Sequence, residues 1–324
     1  MNVLVRVGQA LAWLGRQGTR AVAASVFLGL AIPQLSELFR PLVGPAIFCL
    51  LVFSFLRVEP SALRGEFRRS RLPLLLSATF LMMVATPIVL GALYLFIGES
   101  ELWRELSLAL VLQSAAPPIT SAPAFIAFLG LDIALSLAAL ITTTIVTPVT
   151  APFFAALFGG DALPLDPLTL ALRLAFFLGG TFVVAFIIRR WAGDERIREW
   201  REPIDGLNVI ALFIFAAAVM GIVTYRLFTD PLLVIELLAL SFVITFGLIA
   251  VTAAIFWPAG AERALTLGTS AGIRNMGLML AATSGLSEVA WLYIAVAQFP
   301  IFLAPQLLHP LVSRIQRSRL PPSR

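Results

Sequence analysis

The stretch SAGIRNMGL, residues 270–278, places a glycine, an arginine and an asparagine at the centre of a long apolar segment. That segment, residues 264–282, otherwise has the composition of a membrane-spanning helix. A charged side chain at the centre of a bilayer costs about 2.5–3.5 kcal/mol on insertion scales. We therefore expect Arg274 to face the protein interior, where a functional role or a specific structural contact offsets that cost.

The composition indicates an integral membrane protein. Of the 324 residues, 60% are hydrophobic and 13% are charged, whereas soluble domains carry about 25% charged residues. The basic residues are scattered between apolar runs, so membrane lipid is an expected partner and nucleic acid is not. With one cysteine, Cys49, and one histidine, His309, the sequence predicts no metal centre, no cofactor and no enzyme.

The apolar runs predict an all-α polytopic membrane protein with a single transmembrane domain over residues 1–324 and ten spans. The predicted spans are residues 21–38, 41–57, 72–97, 103–129, 133–158, 167–190, 203–227, 231–257, 262–285 and 287–312.

The arginine distribution predicts the orientation. If the N-terminus is cytoplasmic, 18 of the 23 basic residues lie on the cytoplasmic side and four lie on the opposite side. The remaining one, Arg274, lies within a span. The four on the opposite side are Arg40, Arg104, Arg173 and Arg226. The bias fits the positive-inside rule with both termini cytoplasmic, and we expect a bacterial inner (plasma) membrane.

Two spans are irregular. The fourth contains SAAPPITSAPAF, residues 114–125, whose three prolines cannot all continue one helix, because each lacks a backbone donor. The ninth contains Gly268, Gly272 and Gly277 around Arg274 and Asn275. Interrupted backbone at membrane depth is tolerated only inside protein or beside a cavity, so we expect discontinuous helices 4 and 9.

The two irregular spans occupy matching places in the two halves of the chain. Residues 109–131 align with residues 264–286 at an offset of 155 without gaps. Five spans per half force the halves into opposite orientations, which predicts inverted repeats over about 21–158 and 167–312. Interrupted spans at matching places in two inverted halves are typical of a transporter's central site.

These segments resemble the bile acid:sodium symporter family, within the bile acid, arsenite and riboflavin transporter superfamily. The resemblance rests on AAPPITSAPAF (residues 115–125), DIALS (residues 132–136) and GIRNMGL (residues 272–278). The last segment is similar to the family pattern G-x-Q-N-x-G-L, which it matches at Gly272, Asn275, Gly277 and Leu278. It implies a panel domain (helices 1, 2, 6 and 7) and a core domain (helices 3–5 and 8–10) in which helices 4 and 9 cross. It also implies transport of organic anions by alternating access, usually coupled to sodium.

The departures from the family concern its sodium ligands. A glutamate of the family aligns with Ser270, a glutamine with Arg274, and a second glutamine falls near Met82 or Met83. A Ser-Asn pair aligns with Ala122 and Pro123, and a threonine with Leu140, whereas the serine at Ser136 is retained. Because a hard cation needs several oxygen ligands, we do not expect sodium at these sites.

Seven residues are candidates for substrate binding. They are Arg274, Asn275, Thr120, Ser121, Ser270, Gln113 and Ser136. Arg274 could supply the positive charge that a bound cation supplies in the family, assisted by nearby half-helix N-termini. Its alternative role is structural: it would then pair with backbone carbonyls freed by the broken helix, or with a carboxylate such as Glu236.

The sequence thus predicts a secondary transporter of small organic anions that does not depend on sodium at the family's sites. A membrane-embedded sensor or non-transporting relative is the alternative, since loss of the sodium ligands fits ligand binding without flux. An arsenite-type permease is less favoured, because those relatives use a cysteine in the fourth span and Cys49 lies in the second.

Overall fold

The computed structural model describes residues 3–58, 63, 65–95, 100–159, 166–283 and 285–317. The predicted end of the third span at residues 96 and 97, and residue 284 of the ninth, lie outside these ranges. The α-helices, in chain order, are α1 (Val3–Arg16), α2 (Gly18–Ala31), α3 (Gln34–Phe39), α4 (Val43–Leu56), α5 (Leu72–Phe80), α6 (Thr86–Leu95), α7 (Glu101–Ala115), α8 (Ala122–Phe128), α9 (Ile133–Gly159), α10 (Pro167–Ala192), α11 (Asp194–Glu199), α12 (Arg201–Thr229), α13 (Pro231–Phe256), α14 (Ala261–Gly272), α15 (Met276–Ala282), α16 (Glu288–Val296) and α17 (Gln298–Arg317).

Within the described ranges, seven helical segments are long and apolar enough to cross a membrane, which fits a polytopic membrane protein. They are Gln34–Leu56, Leu72–Leu95, Ile133–Gly159, Pro167–Ala192, Arg201–Thr229, Pro231–Ala259 and Glu288–Arg317. The other three predicted spans, residues 21–38, 103–129 and 262–285, contain shorter helices: α2, α7 with α8, and α14 with α15. Helix α3, at the predicted end of the first of these spans, belongs instead to the segment Gln34–Leu56.

Both predicted helix interruptions are present. Helix α7 ends at Ala115 and α8 begins at Ala122, while α14 ends at Gly272 and α15 begins at Met276. Proline alone does not explain the first break, because Pro148 and Pro152 lie inside the continuous helix α9. The adjacent pair Pro117 and Pro118 removes two successive backbone donors, and the chain between α7 and α8 forms its hydrogen bonds elsewhere.

The glycines of α14 allow close helix packing. A Cβ atom added to Gly268 would lie 2.6 Å from the Ile249 carbonyl oxygen of α13, and one added to Gly272 would lie 2.5 Å from the Thr245 carbonyl oxygen. Small residues at such interfaces let two backbones approach within membrane domains. These glycines therefore position the end of α14, and with it Arg274, against α13.

Helix α12 packs against α1, α2, α4 and α16 and joins several parts of the fold. It meets α1 at close range, since a Cβ atom added to Gly206 would lie 2.1 Å from the Leu11 carbonyl oxygen. The middle of α12, from Phe215 to Met220, is buried. This helix forms one wall of the candidate site.

Candidate functional site

The two broken helices meet backbone to backbone. The Ile119 N–H donates to the Ile273 carbonyl at 2.8 Å, and the Asn275 N–H donates to the Pro117 carbonyl at 2.8 Å. Pro118 and Arg274 thereby form an isolated antiparallel β-bridge. Backbone groups freed by each break thus find partners in the other segment, which removes the cost of leaving them unpaired in an apolar interior.

Arg274 is fully buried at this crossing, as the sequence predicts. Its Nη1 donates to the Ala116 carbonyl at 2.8 Å and to the Met82 carbonyl at 3.2 Å. Nε and Nη2 have no hydrogen-bond partner among the described residues. The ion pairs of the described ranges do not include Arg274, and Glu236 is exposed on α13. Of the two structural pairings considered, the structure therefore contains the one with backbone carbonyls.

The Met82 carbonyl is available because of the local sequence around it. Residues Leu81–Ala85 form a π-helical turn between α5 and α6. The Thr86 N–H, which would bond Met82 in an α-helix, bonds the Leu81 carbonyl instead, as does the Thr86 hydroxyl at 2.8 Å. In a π-helix the Met82 carbonyl would instead accept from the N–H of residue 87, but residue 87 is a proline and has no N–H. The Thr86-Pro87 pair therefore leaves Met82 as an acceptor for Arg274.

A helix end partly compensates the buried charge of Arg274. Ala116 is the C-cap of α7, and α14 ends at Gly272, two residues before Arg274. Each helix C-terminus carries the equivalent of roughly half a negative elementary charge. The dipole of α7 therefore favours a cation at the guanidinium group, which contacts the Ala116 carbonyl.

A small cavity lies at the crossing. It has a volume of about 20 Å³, which is room for a water molecule. Its polar lining residues are Thr120, Ser121, Asn208, Asn275 and Gln298, and its apolar ones include Ile47, Leu51, Phe215 and Phe302. Arg274 is not among the lining residues, consistent with the alternation of side chains along an extended backbone.

No protein-family model matches the chain, and no curated protein matches it significantly.

The remaining predicted site residues lie in the protein interior around the crossing. The hydroxyls of Ser136 on α9 and Ser270 on α14 are both buried and lie 3.1 Å apart. Gln113 on α7 is buried and accepts a hydrogen bond from the Tyr293 hydroxyl of α16, while its Nε2 has no partner in the described part of the chain. The structure thus brings Thr120, Ser121 and Asn275 together in the cavity and leaves Arg274, Ser136, Ser270 and Gln113 outside its lining.

Sequence reasoning missed Gln298 and Tyr293 as members of this region. Gln298 is 1% exposed and lines the cavity. The available signal was a lone amide in the apolar run AVAQFP, residues 295–300, because a polar side chain inside a span normally faces protein or a cavity.

The donor set does not form a conventional metal site. The described residues contain no group of three or more His, Cys, Asp and Glu side chains that could hold a metal ion. The Met82 and Ala116 carbonyls, which could ligate a hard cation, face the Arg274 guanidinium instead. A metal ion bound to the same two oxygens would lie close to the guanidinium group, and two positive charges repel strongly in a low-dielectric interior. These carbonyl oxygens therefore favour the arginine and disfavour a metal ion beside it.

Proposed function

We propose that this protein is a secondary transporter of small organic anions that works by alternating access without sodium at the sites used by the bile acid:sodium symporter family. The observation that carries the proposal is the position of Arg274. Its guanidinium group is buried at the meeting point of two broken helices and is held by the Met82 and Ala116 carbonyls. A guanidinium group keeps its charge at physiological pH, so the crossing carries a permanent cation.

The proposed architecture has ten spans in two inverted repeats, with the ends of the chain on the cytoplasmic side of a bacterial inner membrane. The two helix breaks support it, since Thr120 and Asn275 are 155 residues apart and both line the cavity. The fourth and ninth predicted spans each consist of two helices too short to cross a membrane individually, which is what paired half-helices at a central site require.

The fixed charge would act on an anion without necessarily touching it. Asn275 lines the cavity and is the residue next to Arg274, while the described residues place no charged side chain in the lining. Charges in a protein interior interact more strongly than in water because the effective dielectric constant is lower. Arg274 would therefore favour an anion in the cavity and replace the charge of a co-transported cation.

Uptake of labelled organic anions into liposomes carrying the purified protein tests this proposal. Each anion is measured with sodium or with a large inert cation outside, for the parent protein and for Arg274→Gln. Arg104→Gln is the matched control, because Arg104 is an exposed arginine away from the crossing. We expect sodium-independent uptake that Arg274→Gln abolishes and Arg104→Gln retains.

Other outcomes contradict parts of this proposal. Sodium-dependent uptake by the parent protein would mean that the chain binds sodium at other groups. Unchanged uptake by Arg274→Gln would show that the charge of Arg274 is not needed for anion transport. Saturable anion binding without flux would favour the alternative proposal, a membrane-embedded sensor or non-transporting relative. The arsenite-type permease is less favoured, since Cys49 is exposed on α4 and does not line the cavity.

A further inference from the structure

Two amide side chains in the cavity have a fixed orientation. Asn275 Oδ1 accepts a hydrogen bond from the Leu278 N–H at 3.0 Å. Gln298 Nε2 donates to the Ile294 carbonyl at 2.9 Å. Reversing either amide would set donor against donor or acceptor against acceptor, so each side chain has one orientation.

Each of these bonds leaves the opposite end of the amide available. Asn275 then presents Nδ2, which only donates, and Gln298 presents Oε1, which only accepts. Both residues line the cavity and are almost completely buried, at 7% and 1% exposure. Within the described ranges the side-chain hydrogen bonds of these residues are made by Asn275 Oδ1 and Gln298 Nε2, and neither Asn275 Nδ2 nor Gln298 Oε1 is among the fully enclosed atoms without a partner. Both atoms are therefore accessible from the cavity. These two amides therefore offer one oriented donor and one oriented acceptor, beside Asn208 Oδ1, a further acceptor of the lining without a partner among the described residues.

We infer that Gln298 is a specificity-determining residue that selects organic anions carrying a hydroxyl or amide N–H in addition to the anionic group. This inference rests on the proposed function. The anionic oxygen accepts from Asn275 Nδ2, and the hydroxyl or N–H of the ligand donates to Gln298 Oε1. An anion without such a donor leaves a buried acceptor unpaired, and sites of this kind reject the analogue that lacks the hydrogen bond.

The two oriented amides persist when the cavity opens. At about 20 Å³ the cavity is too small for an organic anion, so binding requires the surrounding helices to separate. The Asn275–Leu278 bond lies in the first turn of α15, and the Gln298–Ile294 bond links the start of α17 to the adjoining α16. Both bonds are local in sequence, so a rigid-body movement of helices leaves the donor and the acceptor in place.

Calorimetric titration of the purified protein with matched pairs of anions tests the inference. The pairs are glycolate with acetate, lactate with propionate, 3-hydroxybenzoate with benzoate, and N-acetylglycine with acetoxyacetate. Within each pair the members differ in one O–H or N–H donor. We expect the donor-bearing member of the best-bound pair to bind about tenfold more tightly or better, the factor expected when a buried acceptor is left unpaired.

Gln298→Met removes the acceptor at nearly constant shape and should bring that ratio to about one. Gln306→Met is the matched control on the same helix, because Gln306 does not line the cavity and the variant should retain the ratio. Equal binding within every pair by the parent protein, or an unchanged ratio in Gln298→Met, would overturn the inference while leaving anion transport intact. Failure of all eight anions to bind would overturn the proposed function and the inference with it.

Discussion

At the scale of single residues, adjacent positions at the crossing have opposite roles. Arg274 points to the backbone carbonyls of Met82 and Ala116, whereas Asn275 lines the cavity and caps α15. The charge is therefore enclosed, and neutral amides and hydroxyls remain for direct contact with a ligand. In the proposed transporter, such a division would avoid a strong ion pair between the protein and the anion, which would slow release of the anion.

Gly272 ends α14 two residues before Arg274 and lies against the backbone of α13. A Cβ atom there would lie 2.3 Å from Ile249 Cγ1 and 2.5 Å from the Thr245 carbonyl oxygen, whereas one at Gly44 has no neighbour within 4 Å. We expect Gly272→Ala to destabilise the protein by about 1–3 kcal/mol through overpacking. Thermal unfolding in detergent measures this change. Gly44→Ala is the control, and we expect its unfolding midpoint temperature to be equal to or above that of the parent protein. Equal midpoints for the two variants would show that α13 and α14 separate without cost.

At the scale of elements, the π-helical turn at Leu81–Ala85 connects the α5–α6 segment to the crossing. Its Met82 carbonyl receives Arg274 across 192 residues of sequence. A continuous α-helix would use this carbonyl internally. The irregularity thus converts a backbone group of one segment into a ligand for the arginine of another.

Pro87→Ala tests the role of that turn, because alanine restores an N–H that can compete for the Met82 carbonyl. Hydrogen bonds to charged groups contribute about 1.5–3 kcal/mol, so we expect partial loss of the Arg274 contact to weaken anion binding by about tenfold. Titration with the best-bound anion measures the change. Pro148→Ala, within α9, is the control and should bind as the parent does. If the two alanine variants bind alike, the Met82 carbonyl does not hold Arg274 in its active position.

At the scale of the whole molecule, two contacts join the proposed panel and core helices at one end of the fold. Arg226 of α12 makes a two-pronged ion pair with Glu288 of α16, with both N···O distances 2.8 Å. Arg40, in the turn before α4, stacks over the Trp291 ring of α16 at 5.2 Å. Between this end and the cavity, Phe215–Met220 of α12 are buried. We therefore expect access to the cavity from the Arg226 end to require these contacts to break.

Thiol labelling tests this barrier independently of transport. In a Cys49→Ser background, Leu212→Cys places a thiol in the cavity lining, and a membrane-impermeant reagent is added from the Arg226 side. We expect Arg226→Gln and Glu288→Gln each to raise the labelling rate about two- to fivefold, the range that partly exposed ion pairs contribute. The exchanged pair Arg226→Glu with Glu288→Arg should restore slow labelling. Rates that do not respond to the single variants would exclude the ion pair as a closing contact.

The sequence by itself determined the class of protein and the two places where helices break. Each long apolar run indicates a segment buried in the membrane. The successive prolines 117 and 118 lack backbone N–H groups, so they interrupt a helix whatever packs around them. The sequence also predicted that Arg274 is enclosed, because exposure to lipid is too costly. Only the tertiary structure decided which atoms hold Arg274, why Asn275 and not Arg274 lines the cavity, and that Gln298 joins Thr120 and Ser121 there. The hydrogen-bond partner of a buried polar group depends on which helices from distant parts of the chain pack against it. The hydrophobic pattern of the sequence does not contain that information.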